Sequence, residues 1–166
     1  EREEAFSTPT ERETQFTVEI QELQPQVVAG IRAIATQAEI GATFRELLPE
    51  IVEYLREIGV SPVGAPYARY FHVGADRVDM EVGIAIDRPI DGNARVEPGE
   101  LPGGEAATTV HVGSYDGLTE AYDALVAWIE EEGRVRTGLP WEVYAMDPEH
   151  VPEPDEWQTR IFWPLL

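Results

Sequence analysis

Ala106-Ala-Thr-Thr-Val-His-Val-Gly-Ser-Tyr115, a helical stretch, and then Gly138-Leu-Pro-Trp-Glu-Val-Tyr-Ala-Met146 decide how this chain is read. Much the same unit has already been written once. Moved back by 74 positions, Trp128 falls on Tyr54, Gly133 on Gly59, Gly138 on Gly64, Pro140 on Pro66, Trp141 on Tyr67 and Tyr144 on Tyr70. The repeat is a single duplication rather than an array. Each copy is too short to bury its own apolar face, so the two are expected to share one core. A pocket between them, near a pseudo-twofold axis, is the natural place for function.

Working outward, each copy has the same order of elements. In the first half Phe16 to Leu23 alternates apolar and polar residues, the period of a half-buried strand. Pro25 interrupts it, and Val27 to Ile34 resumes as a second strand or as a continuation past a bulge. A helix is expected from Gly41, with Thr43 and Glu46 as a capping box. Phe44, Leu47, Leu48, Ile51, Val52, Leu55 and Ile58 follow the 3.6-residue period, and Gly59 ends the helix. Pro49 either kinks it or marks the start of its main part. Val60 to Pro66 reads as a loop by its proline and glycine, Tyr67 to Val73 and Val78 to Ile86 as strands, and Pro89 to Pro98 as the join. In the second half Glu100-Leu-Pro-Gly-Gly echoes Glu22-Leu-Gln-Pro-Gln. Strand Ala106–Val112, helix Leu118–Glu132, strand Trp141–Met146 and strand Gln158–Leu165 follow. The expected fold is α+β: a ββαββ-like unit written twice, with two helices on one face of a largely antiparallel sheet. Residues 1–15 are expected to be a mobile arm and 16–166 a single domain, with halves at about 16–90 and 98–166.

Composition sets outer bounds. The 166 residues fit one domain with a sizeable core. No apolar run approaches the ~18 residues that span a bilayer, and the charged first residues do not form a secretory signal. A cytoplasmic location with no membrane contact is therefore expected. The chain does not begin with methionine, as a processed form or a piece of a longer protein would not. There is no cysteine, which excludes disulfides and thiolate chemistry. His72, His111 and His150 are scattered without metal-ligand spacing, so no metal and no cofactor is expected. Twelve arginines and no lysine face 32 acids, a formal charge of −20. This argues against direct nucleic acid contact by the domain, and the missing lysine removes Schiff-base mechanisms.

The closing strands of the halves align at an offset of 79, Met80-Glu-Val-Gly-Ile84 on Thr159-Arg-Ile-Phe-Trp163. Val82 and Ile84 then match Ile161 and Trp163 on the helix-facing side, and Glu81 and Gly83 match Arg160 and Phe162 on the other. The candidate ligand-binding set is Tyr70, Glu81, Trp141, Glu142, Tyr144, Arg160 and Phe162. Aromatic walls offer large buried area at low entropic cost, and their faces attract flat or cationic groups; a few polar groups fix orientation. The same residues also read as core, and Glu81 with Arg160 as a simple ion pair or two solvated charges. His111, among apolar strand neighbours, reads as structural. Asp147 to Glu156 is an acidic, proline-bearing loop, either a lid or a solvated connector.

Glu100-Leu-Pro-Gly-Gly-Glu-Ala-Ala107, His111-Val-Gly-Ser-Tyr115, Trp141-Glu-Val-Tyr144 and Thr159-Arg-Ile-Phe-Trp-Pro-Leu165 together resemble the GyrI-like small-molecule-binding family. That family shares its domain with the effector-binding domains of AraC- and MerR-type transcription regulators. The resemblance covers roughly Phe16 to Leu166. It implies a duplicated βαββ fold with a ligand cleft between the halves, binding of hydrophobic and often cationic drugs or toxins, and hydrolysis of cyclopropane-bearing natural products by some stand-alone members. Tyr144 matches the family's cleft tyrosine. Where the family pattern carries a cleft glutamate before Ile161, this chain has Arg160, and a fixed cation there cannot be a general base and would repel a cationic ligand. Three functions are expected to compete. The first is a module binding a hydrophobic or aromatic small molecule, linked to transcription regulation or drug resistance. The second is a hydrolase of strained electrophiles, with Glu81 or Glu142 as base and Tyr144 as acid. The third is an acidic protein-interaction domain.

Overall fold

A computed structural model describes residues 17–113, 118–144 and 158–166. The amino-terminal arm, Phe16, Ser114 to Asp116, the end of the strand at Ala145 and Met146, and the Asp147–Glu156 loop lie outside the described residues.

The elements run β1 (Glu19–Leu23), β2 (Gln26–Ala35), α1 (Ile40–Ile58), β3 (Pro62–Val73), β4 (Val78–Ile86), β5 (Glu97–Leu101), β6 (Gly104–Val112), α2 (Leu118–Glu131), β7 (Trp141–Tyr144) and β8 (Gln158–Pro164). The eight strands form one sheet in the order β1-β6-β8-β7-β3-β4-β2-β5, and every pairing is antiparallel. The α+β class and the doubled ββαββ order are therefore as the sequence led us to expect. The strand order is its own reverse once each strand is exchanged for its counterpart in the other half.

The pseudo-dyad can be placed to the residue. At the centre of the sheet β3 and β7 pair with Tyr67 opposite Val143, Ala68 opposite Glu142 and Arg69 opposite Trp141. Ala68 and Glu142 are themselves related by the 74-residue shift, so the axis passes between them. Beside them Ala68 pairs with Val82 and Glu142 with Ile161, the offset of 79 read from the closing strands.

The first strands of the halves trade places. β1 does not pair with β2 but with β6, Leu23 opposite Gly104, while β5 pairs with β2, Leu101 opposite Gln26. Pro25 stops β1 from folding back on its own neighbour. β5 runs through Pro98 and Gly99, tolerated because it is an edge strand. The exchange ties each half to the other by a backbone ladder.

Helix α1 buries Leu47, Ile51 and Leu55, and α2 buries Ala121, Leu125 and Ile129, the same stripe after the shift. Both end in the same cap. Val60 N–H donates to Leu55 C=O (3.0 Å) and Arg134 N–H to Ile129 C=O (3.0 Å), with Gly59 and Gly133 at φ 73° and 72°. These are Schellman closures, which need a residue free to enter the left-handed region. Two local expectations fail. Helix α1 opens at Ile40, after a 3-10 turn Gln37–Glu39 where Thr36 N–H donates to Glu39 Oε1 (3.2 Å). Thr43 is thus inside the helix, because Thr36 and Glu39 form the same cap seven residues earlier. Residues 62–66, read as loop, are the first part of β3, with a register shift between Pro62 and Pro66 absorbing the prolines. Pro49 lies inside α1.

Candidate functional site

Residues paired across a sheet share a face. Tyr70 pairs with Met80, Tyr144 with Thr159 and Glu142 with Ile161, so Tyr70, Glu142 and Tyr144 stand on the side packed by the helices. Glu81, Trp141, Arg160 and Phe162 stand on the other. The seven-residue set expected around one pocket is split between the two faces of the sheet, and four of its members are absent from the cavity described next.

A cavity of about 1400 Å³ lies between α1, α2 and the sheet. It sits on the pseudo-dyad and is lined by equivalent pairs: Phe44 and Leu118, Leu48 and Tyr122, Pro66 and Pro140, Tyr70 and Tyr144, Ile84 and Trp163. Its floor is Glu142, only 3% exposed. Glu142 Oε1 accepts from Tyr144 Oη at 2.7 Å and from Tyr70 Oη at 3.3 Å, and Oε2 accepts from Tyr122 Oη at 2.6 Å. The Tyr70 and Tyr144 hydroxyls are 3.4 Å apart. Burial raises the Glu142 carboxyl above its ordinary pKa, a push opposed by the phenol bonds from Tyr122, Tyr144 and Tyr70 and by the charge of His111. Burial, with the neighbouring carboxylate, also pushes the Tyr122 and Tyr144 hydroxyls well up, so both are donors at neutral pH. Phe44 stands edge-on to Tyr144, centroids 4.9 Å apart, and Trp163 edge-on to Tyr122 at 6.3 Å. The result is a buried negative group in a sleeve of π-faces.

Among the described residues the opposite face is packed by side chains of the sheet itself. In the first half Tyr67 Oη donates to Glu81 Oε1 at 2.7 Å. The tyrosine lies over Gly83 and the carboxylate over Gly30: a Cβ at Gly83 would come 2.5 Å from Tyr67 Oη, and one at Gly30 2.8 Å from Glu81. In the second half the same positions hold Trp141 stacked on Phe162, centroids 5.5 Å apart at 17°, and Arg160, whose Nη1 donates to Thr108 Oγ1 at 3.4 Å. Of the two simpler readings of Glu81 and Arg160, an ion pair or two separate charges, the ion pair does not form. They lie on β4 and β8 with β3 and β7 between, three strand spacings or roughly 14 Å.

Sequence reasoning missed Tyr122, Phe44 and Trp163 as cavity residues. Phe44 falls on a helix stripe, Tyr122 within the second helix and Trp163 on the helix-facing side of β8, where an aromatic residue reads as core. The available signal was the shift itself: Tyr122 replaces Leu48, and Trp163 replaces Ile84, at positions that flank the axis. Among the described residues no His, Asp and Glu group is arranged to hold a metal ion. No helix among them is long and apolar enough to cross a membrane.

A duplicated α+β sheet with a charged, aromatic cavity on its internal axis defines a small-molecule-binding domain. The chain belongs to the GyrI-like small molecule binding domain family, whose model matches residues 16–166. Its fold is similar to that of EcmrR. The EcmrR C-terminal domain superposes with a TM-score of 0.81 at 22% identity, covering 91% of this chain and 98% of that one. The match to EcmrR in its DNA complex within EcmrR-RPo has a TM-score of 0.82 at 23% identity and covers 95% of this chain but 60% of that one, so this chain spans about three fifths of the length of EcmrR. A hydrolase from Listeria innocua matches at TM-score 0.66 and 15% identity, covering 90% and 91% of the two chains. SAV2435 bound to tetraphenylphosphonium matches at 0.64 and 12%, covering 90% and 94%. No curated protein matches the chain by sequence.

Proposed function

We propose that the domain binds an aromatic, positively charged small molecule in the cavity on its pseudo-dyad, as the ligand-sensing part of a transcription regulator or as a drug-sequestering protein. The observation that carries this reading is Glu142, a nearly inaccessible carboxylate at the floor of a large cavity walled by Tyr70, Tyr122, Tyr144, Phe44 and Trp163. A buried anion is costly; the phenol bonds and, more weakly, His111 oppose that cost, and a lipophilic cation relieves more of it. Aromatic faces add cation–π attraction. Of the residues first proposed for the site, Tyr70, Glu142 and Tyr144 keep a ligand-binding role; Glu81, Trp141, Arg160 and Phe162 shape the sheet beneath it. The repulsion of a cationic ligand that Arg160 implied does not apply to a cavity on the other face of the sheet. The likeness to SAV2435 bound to tetraphenylphosphonium supports the ligand class, and that to EcmrR supports the regulatory setting. The test is calorimetric titration with tetraphenylphosphonium and with tetraphenylborate, its anion of matched shape. Binding of the cation alone is expected; binding of the anion alone overturns the reading.

A second reading, hydrolysis of a strained electrophile, is favoured by one observation. The Glu142 carboxyl has a raised pKa, as a general base working near neutrality needs, and Tyr144 beside it is a proton donor. Glu81 has no part in it, being on the other face. Loss of a cyclopropane-bearing alkylator on incubation with the protein, abolished by Glu142→Gln, is its signature.

A further inference from the structure

The acceptor sites of Glu142 are nearly full before any ligand arrives. An ionised carboxylate offers about four acceptor positions, and the three phenols take three of them, two at 2.6 and 2.7 Å and one at 3.3 Å. All three donors are fixed. Tyr144 is wedged against Phe44, Tyr122 stands against Trp163, and Tyr70 and Tyr144 brace each other across the axis. The carboxylate is 3% exposed, so what a ligand meets is mainly tyrosine ring and phenol oxygen, with the charge behind them.

We infer that this cage selects lipophilic cations whose charge carries no hydrogen-bond donor over protonated amines of the same shape, with Tyr122 as the specificity-determining residue. This rests on the cation-binding reading above and says which cations. A quaternary ammonium or a phosphonium feels the negative potential without needing a bond. A protonated amine brings an N–H that was bonded to water. In the cavity three of the roughly four positions on its best acceptor are taken, so it gives up its bonds to water mainly for a phenol oxygen rather than for the carboxylate. A buried donor left poorly matched loses affinity out of proportion to its size. Tyr122 decides because it holds Oε2 alone, whereas Oε1 has two donors. Removing the Tyr122 hydroxyl frees one whole oxygen and leaves the aromatic wall in place.

The experiment compares (9-anthracenylmethyl)trimethylammonium with its protonated tertiary counterpart, (9-anthracenylmethyl)dimethylammonium, by titration calorimetry, with tetraphenylphosphonium as reference. In the wild type the quaternary ligand is expected to bind about tenfold tighter, the scale of one mismatched donor. In Tyr122→Phe the ratio should fall to near one or invert, through tighter tertiary binding, while tetraphenylphosphonium changes by less than about threefold. Tyr70→Phe, which removes the long bond and leaves Oε1 its short one, should move the ratio less. Equal affinities in the wild type, or a ratio unmoved by Tyr122→Phe while tetraphenylphosphonium still binds, overturns the inference alone. Silence of all three cations towards the wild type overturns the cation reading and the inference with it. If Tyr122→Phe fails to fold, Tyr70→Phe carries the same test, with a ratio unchanged from wild type counting against it.

Discussion

The two halves agree in backbone and disagree in chemistry, and the disagreement has a pattern. On the helix-facing side the first half supplies Leu48, Ala68 and Ile84 where the second supplies Tyr122, Glu142 and Trp163. On the far side the first half holds a tyrosine–carboxylate bond over two glycines, and the second holds a tryptophan–phenylalanine stack. Duplication places a cavity on the axis but gives it a symmetric lining, which cannot orient an asymmetric ligand. Breaking the symmetry in one half alone puts a single carboxylate off-centre with its donors around it. The far face shows the complementary freedom: two unrelated packings fill the same space, because a core asks for volume and satisfied polar atoms rather than particular residues.

The largest way to sharpen that contrast is Trp141→Ala. Trp141 is 3% exposed and stacked on Phe162, so about 3–5 kcal/mol of stability should be lost, read as a shift in denaturant midpoint. Its counterpart Tyr67→Ala should cost a similar amount and also strand Glu81. A cost under ~1 kcal/mol for either would show that this face is not a second core.

Next comes the residue that breaks the symmetry. Glu142→Gln should weaken tetraphenylphosphonium by roughly 2–4 kcal/mol, the range for removing one partner of a buried charge pair. Stability should move the other way. The folded-state pKa of Glu142 is raised above its unfolded value by burial, so folding favours the protonated form. The cost of holding the charged form is absent below the unfolded pKa, grows as pH rises through the folded pKa, and is then constant. Glu142→Gln should therefore melt above the wild type at neutral pH, with the gap closing in acid. Cation affinity in the wild type should fall as pH falls through the folded pKa. A melting gap that widens in acid would reverse this account.

How much of this was legible in the chain follows from which distances the sequence encodes. The 74- and 79-residue offsets are properties of the backbone, and the registers Ala68–Glu142, Ala68–Val82 and Glu142–Ile161 reproduce them. The exchange of β1 and β5 was not legible, since an alternating strand does not name its partner. The site was half legible. Tyr70, Glu142 and Tyr144 were named together, but Glu81, Arg160 and Phe162 were added to them by looking along the closing strands rather than across the sheet. A residue shares a face with its cross-strand partner, and Tyr70 faces Met80 rather than Glu81. One step of register moves a side chain to the other side of the sheet. Tyr122 was hidden for another reason: on an amphipathic helix a cavity wall and a core look alike.

Gly83→Ala tests the far face at smaller scale. A Cβ there would stand 2.5 Å from Tyr67 Oη. The buried ring cannot swing away, so the bond to Glu81 must break or the strand must shift. An overpacking cost of about 1–3 kcal/mol is expected, with tetraphenylphosphonium binding intact. Gly30→Ala should cost less, because the atoms in its way belong to the more pliant Glu81 side chain.

The smallest expected effect is the most discriminating. Arg160 occupies the position where a cleft glutamate was expected from the family pattern, and read along the chain it turns the cavity positive. In the sheet it pairs with Val143, not with Glu142, and its guanidinium bonds to Thr108 on the far side. Arg160 is not among the groups that act on Glu142, where burial comes first and His111 last. Arg160→Ala should therefore leave tetraphenylphosphonium affinity within about twofold of wild type and change stability by no more than ~1 kcal/mol, as a half-buried side chain with one long bond would. If affinity instead rose tenfold, the arginine's field would be acting through the sheet, and the division of labour between the two faces would fail. If it is unchanged while Glu142→Gln abolishes binding, the charge of the cavity is set on the strand at the axis, and the arginine on the closing strand has no part in it. The cavity then keeps its negative charge although the expected position carries a positive one.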